Sequence, residues 1–382
     1  MLQVLFFLSV LTVQASPVVE IEKALKNHGW GAVESDQKLS EAARALAERM
    51  GRSTQAANPS DAAGHLRFVL ESNRITDAHV YPFTIRHRSS AELKEKLPVL
   101  LGRLERRHAP THMGIGTYGY AGRLTTTILL VHRGVILDTA LPLKANTGEW
   151  ITVGGQLRSG YFKPRVMVAP PGGSAVRDRP AWTTNRRVDV NVYFDAGPGV
   201  YGLEIVADSQ YGPVVLNNHR VYVDVARPEL PTVKLSPRSP RQTPQASTDV
   251  MFEMINALRQ RNGLPALRKH RQMGRIAHEY AQEMARRQKL AHGSPDTGTL
   301  ATRLSGLGLP AIRIAENLAK AQDPRSALNA FLDSPGHKRN LLLPGLTDVG
   351  VGHAGEYYAI ILVQLLEGAT RQQLIPAPGA IQ

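Results

Sequence analysis

Apolar and polar residues alternate through the middle of the chain, between residues 134 and 226. Val188, Val190, Val192 and Phe194 stand at every second position, which is the spacing of a strand with one buried face. Similar runs recur after short turn sequences that contain glycine or asparagine. Several short strands at this spacing predict a β-sandwich domain of immunoglobulin-like architecture over residues 134–226.

The segment 248–367 has apolar residues at helical spacing instead. Ser247 or Thr248 is the predicted N-cap of its first helix. Asp323 is the predicted N-cap of a later helix that ends at Pro335. Two β runs near the end of the segment are joined by a short turn and predict a buried hairpin. Helices packed against a hairpin predict an α+β domain.

The two ends of the chain carry a similar pattern. A helical run from Leu39 matches one from Met273, an offset of 234 residues (273 − 39). A Gly-x-Gly strand at Gly114 matches one at Gly350, an offset of 236 residues (350 − 114). The near-constant offset favours duplication of one α+β fold, with a degenerate copy over residues 18–133. The alternative is chance similarity between amphipathic segments.

Three segments are predicted to lie outside these domains. Residues 1–15 form an apolar run that is too short to span a bilayer and ends in a small-residue pattern, as in a signal peptide. Residues 227–247 contain five prolines and predict an extended linker. Residues 368–382 are predicted to form a flexible tail. The sequence therefore predicts a secreted protein, extracellular or periplasmic, without a transmembrane segment.

Composition narrows the class of protein and its partners. The chain has 382 residues, 42% of them hydrophobic, no cysteine, and a net charge of +14. The lack of cysteine excludes disulfides and thiolate metal sites and favours a bacterial source. The positive charge is spread over all the domains rather than gathered in one stripe. An anionic envelope polymer, a lipid or a protein ligand is therefore a better candidate partner than a specific nucleic acid.

Four short motifs carry a resemblance to a known family. They are AHGSP (residues 291–295), AENLA (315–319), SPGHKRNLL (334–342) and DVGVG (348–352). Each motif alone is weak, but the four in this order are specific. Over residues 248–367 the chain resembles the CAP superfamily of cysteine-rich secretory, antigen 5 and pathogenesis-related proteins, in a cysteine-free bacterial form. The resemblance implies a three-layer α-β-α sandwich.

The resemblance also implies a cleft with a set of polar residues. Carried over by motif, its members are His292, Glu316 and His337, with Asp333 and Ser334 as cleft neighbours. Animal and plant members often have a second glutamate, and its matching place in this chain is Ser334. The fourth member of the set is therefore open.

Three functions are compatible with His292, Glu316 and His337. Two imidazoles and a carboxylate with an open position can hold Zn²⁺, which predicts a metal-competent cleft in a secreted or envelope-associated binding protein. The same residues could serve a metal-dependent hydrolase acting on peptide or wall material, with Glu316 as the candidate base. They could also form a purely structural hydrogen-bonded network. Whether the protein is an enzyme stays open at this point.

Two other histidines are predicted to be uncommitted. His278 begins an HExxH-like run, but Gln282 stands where the second histidine is needed, and helix periodicity predicts that His278 faces solvent. His353 falls in the predicted hairpin turn, where an exposed histidine is the ordinary expectation.

The N-terminal copy is predicted to lack the site. Counted back by the repeat offset, its three positions fall near Asn58, near His79 to Tyr81, and near Gly102, where no His–Glu–His set exists. The sequence therefore predicts a site-less domain kept for structure or for partner binding.

Overall fold

The computed structural model describes most of the chain, as two compact units. The described residues are 17–52, 59–102, 109–171, 176–180, 186–210, 212–229 and 244–366. The first unit holds residues 1–56 and 80–132, and the second holds residues 57–79 and 133–382. The predicted signal peptide, residues 230–243 of the predicted linker and the predicted tail lie outside the described residues.

The elements follow one another in chain order. The described helices are α1 (Pro17–Asn27), α2 (Gln37–Arg52), α3 (Pro59–Ser72), α4 (Ser90–Leu101), α5 (Pro244–Arg261), α6 (Arg271–Arg287), α7 (Leu300–Ser305), α8 (Pro324–Leu332) and α9 (Pro335–Leu341). The described strands are β1 (Glu34–Ser35), β2 (His79–His87), β3 (His112–Tyr120), β4 (Arg123–His132), β5 (Val135–Leu137), β6 (Lys144–Ala145), β7 (Trp150–Leu157), β8 (Phe162–Ala169), β9 (Arg177–Pro180), β10 (Arg187–Tyr193), β11 (Gly199–Ser209), β12 (Gly212–Val223), β13 (Arg268–Lys269), β14 (Ala311–Lys320), β15 (Asp348–Ala354) and β16 (Tyr357–Leu365). Within the described part of the chain, no helix is both long and apolar enough to cross a bilayer.

The first unit is a sheet of order β1-β3-β4-β2 with α2 lying directly on β3. Two glycines of β3 make this close approach possible. A Cβ on Gly114 would lie 2.1 Å from the backbone of Leu39, and one on Gly116 would lie 2.1 Å from the backbone of Arg44. Any side chain at either position would push the helix away from the sheet.

The second unit contains a β-sandwich. Its sheets have the orders β10-β7-β5 and β6-β12-β11-β8-β9, and the alternating apolar residues of both sheets form one core. Tyr201, at the start of β11, donates its hydroxyl to the Gly197 carbonyl (3.1 Å) and accepts the Ala196 N–H (2.8 Å). A tyrosine that bonds back to the chain a few residues upstream is found at the corners of immunoglobulin-like sandwiches.

The second unit also contains an α-β-α sandwich, as predicted for the C-terminal segment. Its sheet has the order β13-β15-β16-β14. One face packs on α5 and α8 and the other on α6, so the continuous apolar run of β16 is buried on both faces. A Cβ on Gly352 of β15 would lie 2.0 Å from the backbone of Ala277 in α6. The helix therefore lies directly on the strand.

The first unit and the C-terminal sandwich repeat the same construction. In both, a two-residue strand runs parallel to the Gly-x-Gly strand, which is followed by a long apolar strand. The Glu34 N–H donates to Thr111 O and the Arg268 N–H donates to Thr347 O, each at 2.9 Å. Both sheets also share the order in which their four strands occur in the chain.

The compact units depart from the predicted domain boundaries. Residues 57–79 belong to the second unit and thus interrupt the predicted domain of residues 18–133. The Asn218 N–H donates to Thr76 O (2.8 Å) and the Ala78 N–H donates to Leu216 O (3.2 Å), which ties this segment to β12. The β-sandwich and the C-terminal sandwich, predicted as separate domains, lie in one unit.

Three local predictions in the C-terminal segment were incomplete or wrong. Helix α5 begins at Pro244, so Ser247 and Thr248 are buried residues within the helix rather than its N-cap. Asp323 caps α8 as predicted, but Pro335 begins the further helix α9. Strand β14 was not predicted, because its polar and apolar residues follow no regular period along most of its length.

Candidate functional site

Glu316 lies on β14 with its side chain almost fully buried, at 3% exposure. One carboxylate oxygen, Oε2, accepts from His292 Nδ1 at 3.0 Å. The other, Oε1, accepts from Arg303 Nη2 at 2.5 Å. Since a buried carboxylate is costly unless it is paired and hydrogen-bonded, these two contacts explain how Glu316 is tolerated inside the domain.

Arg303 of α7 is a buried cation beside Glu316, and the sequence did not predict it. Its side chain is 4% exposed, and its guanidinium lies 3.5 Å from the centre of the Tyr280 ring. Its Nη1 donates to Gly298 O at 3.0 Å and to His292 O at 3.4 Å. Arg303 thereby holds both the carboxylate and the backbone of the histidine that contacts it.

His292 lies in the loop after α6, and its side chain is 43% exposed. Tyr280 donates its hydroxyl to the Ala291 carbonyl just before it. Further along the same loop, buried Glu283 accepts from the hydroxyls of Ser294 and Thr297. The loop is thus fixed from α6 on both sides of His292. With Nδ1 bound to Glu316, the Nε2 atom of His292 is left for other partners.

His337 lies in the first turn of α9, across from His292. The ring centres of the two histidines are 6.2 Å apart, and the His337 ring lies in a T-shaped arrangement with the buried Phe331 ring, with their centres 5.5 Å apart. The Asn317 side chain, next to Glu316 on β14, donates to His337 O at 2.9 Å. Burial, and then the neighbouring His292, lower the pKa of His337 to about 3, so its ring is neutral near pH 7.

The structure brings the three predicted residues together, but not as three ligands around one point. Among the residues that the structure describes, no group of three or more His, Asp and Glu side chains is arranged to hold a metal ion. Glu316 uses one oxygen for Arg303 and the other for His292. The two imidazoles alone are fewer than the three or four protein ligands of usual zinc sites, while the carboxylate fits the role of an outer partner that orients a histidine.

Asp333, which was predicted as a cleft neighbour, forms its ion pairs outside the cleft. Its carboxylate forms ion pairs with Arg220 of β12 and Arg67 of α3, on the side of the β-sandwich. Asp333 is the C-terminal cap of α8, and the chain turns there toward the β-sandwich. Ser334, the other predicted neighbour, is the N-cap of α9, and its hydroxyl accepts the His337 N–H at 3.3 Å.

The two histidines predicted to be uncommitted both have partners. His353 is only 6% exposed, the centre of its ring lies 4.4 Å from that of Tyr358, and its Nε2 lies 2.8 Å from Gly355 O. His278 is half-buried, and its Nδ1 lies 2.9 Å from His353 O. The expectation of exposed histidines was wrong because β15 extends further toward the turn than the sequence indicated.

The first unit has no acid at the place of Glu316. Strand β2 takes the position in its sheet that β14 takes in the C-terminal sheet, and it contains neither Asp nor Glu. Of the other predicted positions, Gly102 caps α4, while Asn58 lies outside the described residues.

Comparison with known sequences locates a family within the second unit. Residues 252–365 match the model of the cysteine-rich secretory protein family, CAP. The uncharacterized protein YkwD of Bacillus subtilis is 32% identical over 104 residues, which are 27% of this chain and 40% of that protein. The uncharacterized membrane protein YlbC of Bacillus subtilis is 28% identical over 141 residues, which are 36% of this chain and 41% of that protein. The chain spans about two-fifths of the length of these relatives.

Solved structures give a weaker likeness. The chain is similar to an extracellular protein from Bacillus anthracis that contains an SCP domain, with a TM-score of 0.32 and 23% sequence identity. That match covers 43% of this chain and 64% of the other.

Proposed function

We propose, from the match of residues 252–365 to the CAP family model, that the protein is a secreted or envelope-associated binding protein. Its ligand site is the cleft between His292 and His337. An anionic envelope polymer, a lipid or a protein surface is the class of partner that fits the excess of positive charge.

The observation that carries this proposal is which polar atoms of the cleft residues already have hydrogen-bond partners. Within the described part of the chain, neither His292 Nε2 nor the ring of His337 has a protein hydrogen-bond partner. The Glu316 oxygens, in contrast, are both engaged. The cleft therefore offers two imidazole rings, one of them oriented by the hydrogen bond from His292 to Glu316, which suits binding.

A divalent cation such as Zn²⁺ is one ligand that two imidazoles can coordinate. His292 and His337 would supply nitrogen ligands, and Glu316 would fix the orientation of His292 from behind. A zinc ion bound there would leave coordination positions for an oxygen of a larger partner. Phe331 packs against the His337 ring and Asn317 donates to its carbonyl, so both residues hold His337 in place.

Hydrolysis is the alternative, and the same contacts give it less support. It requires Glu316 to act as a base on a water molecule, yet Arg303 and His292 already occupy its two oxygens. A general base must reach the proton that it removes. Glu316 is also almost fully buried, at 3% side-chain exposure, which limits the access of water to its remaining lone pairs.

The remaining domains fit supporting roles. We take the β-sandwich to be immunoglobulin-like, on the evidence of its two-sheet core and the Tyr201 corner. The first unit fits a degenerate CAP-like copy, because it repeats the sheet order and the glycine-lined contact of strand and helix. The absence of an acid from its strand β2 suits a structural or partner-binding role.

Isothermal titration of Zn²⁺ into the full chain tests the proposed function. We expect saturable one-to-one binding that is lost in His292→Ala and in His337→Ala. His28→Ala is the matched control, because that histidine lies in the turn that follows α1 and bonds to Pro98 O. Absence of binding by the wild type, or binding that survives both cleft substitutions, would contradict a metal-competent cleft.

A further inference from the structure

Glu204 is a carboxylate buried on the outer face of the β-sandwich. It lies in the middle of β11, between Leu203 and Ile205, whose side chains enter the sandwich core. Because successive side chains of a strand point to opposite faces, Glu204 points away from that core. Its exposure is nevertheless 0%. Something outside the β-sandwich must therefore cover it.

The cover is the first turn of α9. The Gly336 N–H donates to Glu204 Oε2 at 2.8 Å, and the Ser334 hydroxyl forms a second hydrogen bond to the same carboxyl group. From β12, the Asn218 amide donates to Oε1 at 3.3 Å. Glu204 thus accepts hydrogen bonds from the N-cap and from the backbone immediately before His337.

The fit between β11 and α9 is close on both sides. A Cβ on Gly202 would lie 3.1 Å from Pro335 Cγ, and a Cβ on Gly336 would lie 3.2 Å from Glu204 Oε2. Both distances are tighter than ordinary van der Waals contact. Glycine at these two positions allows the helix to lie directly on the sheet.

Helix α9 depends on such contacts because it has only seven residues. A helix of this length has little stability of its own and takes its position from what it packs against. On one side Asn317 holds the His337 carbonyl, and on the other Glu204 holds the Gly336 N–H. The second contact comes from a residue 132 positions away in the chain.

We propose that Glu204 is a positioning residue for the cleft, through which the β-sandwich fixes the helix that carries His337. The β-sandwich then acts as part of the site's scaffold. The placement of His337 depends on a carboxylate from outside the CAP segment. The contacts between Glu204 and α9 do not depend on a metal, and only the metal-binding readout rests on the proposed function.

The test compares three variants in the full chain. Glu204→Ala removes the acceptor, Glu204→Gln keeps an oxygen at the same place, and Glu71→Ala is the control. Glu71 is also buried and accepts from Tyr222 of the β-sandwich (3.1 Å), but no described contact joins it to α9.

Two readouts separate positioning from general stability. Hydrogen exchange at the Gly336 and His337 amides should be at least tenfold faster in Glu204→Ala than in the wild type. It should stay within about twofold in Glu204→Gln and in the control. The affinity for Zn²⁺ should fall about tenfold in Glu204→Ala, in the range seen when an outer partner of a metal ligand is removed.

A more conservative variant covers the case in which Glu204→Ala does not fold. Gly336→Ala adds one methyl group against Glu204 Oε2 and should favour the helix by propensity. We expect it to speed exchange at the His337 amide all the same. Unchanged exchange in both Glu204→Ala and Gly336→Ala would overturn the proposal. If the wild type binds no Zn²⁺, the proposed function fails, but the exchange result still decides the role of Glu204.

Discussion

At the scale of single residues, Arg303 restricts the interactions of Glu316, because it donates to one of the two carboxylate oxygens. The sequence motif placed Glu316 correctly beside His292, but a lone arginine in a short amphipathic helix gave no sign that it would be buried. The missing information is spatial, because the ion pair closes only when α7 packs between β14 and the loop of His292. The family resemblance identified the two histidines and Glu316, but it did not identify Arg303 as the ion-pair partner of Glu316.

Arg303→Met should destabilise the protein strongly, since it leaves a buried carboxylate without its cation. We expect a loss of about 3 kcal/mol in the free energy of unfolding, the usual cost of breaking one side of a buried ion pair. Urea unfolding measures it. Arg286→Met on exposed α6 surface is the control and should change the value by less than about 0.5 kcal/mol. Equal free energies of unfolding for the two variants would show that Arg303 does not stabilise the buried carboxylate.

The burial of Glu204 should make stability depend on pH in a defined direction. Burial raises the pKa of Glu204 from 4.5 to about 7, although the hydrogen bonds from Ser334 and Gly336 oppose this. Between these values the folded chain holds a proton that the unfolded chain has lost. This contribution to stability is therefore complete below about pH 4.5 and is lost as the pH rises through about 7.

The test compares unfolding at pH 5 and pH 8. From pH 5 to pH 8, the wild type should lose on the order of 3 kcal/mol more than Glu204→Gln, which cannot titrate. Glu95→Gln, at an exposed position of α4, should follow the wild type. Parallel pH dependences of wild type and Glu204→Gln would show that Glu204 does not titrate in this range.

At the scale of elements, the strongest patterns were the most predictable. The alternation in the β-sandwich and the apolar face of α6 gave those elements correctly, and the CAP assignment of the C-terminal segment is confirmed. Strand β14 was missed because polar residues interrupt its apolar ones, among them the site residue Glu316. The sequence did not predict helix α9, because Pro335 was expected to end the preceding helix. Proline also suits the first turn of a helix, and α9 begins there.

The glycines of the Gly-x-Gly strands should be intolerant of any side chain. A Cβ at Gly352 would lie 2.0 Å from Ala277, whose backbone cannot move without shifting α6. We expect Gly352→Ala to cost about 3 kcal/mol or more, at the upper end for overpacking. Thermal unfolding measures the loss. Gly119→Ala, where the nearest atom is 3.5 Å away, should unfold close to the wild type, and a similar midpoint for Gly352→Ala would contradict this contact.

At the scale of the whole molecule, the proline-rich linker suggested independent domains, yet the second unit joins the β-sandwich to the CAP segment. The joining contacts are made by single polar residues far apart in sequence, such as Glu204 with Gly336 and Arg220 with Asp333. Local periodicity carries no signal for such pairs. The candidate cleft therefore takes its contacts from both parts of the second unit.

The central claim is that His292 and His337 offer the cleft's donors while Glu316 stays behind His292. X-ray absorption spectroscopy of the full chain loaded with one equivalent of Zn²⁺ tests it most directly. We predict imidazole scattering from two histidines in the wild type, lost together with the bound zinc in His337→Ala and unchanged in number in Glu316→Gln. A zinc environment without imidazole, or one that loses a ligand in Glu316→Gln while both histidines remain, would contradict the claim.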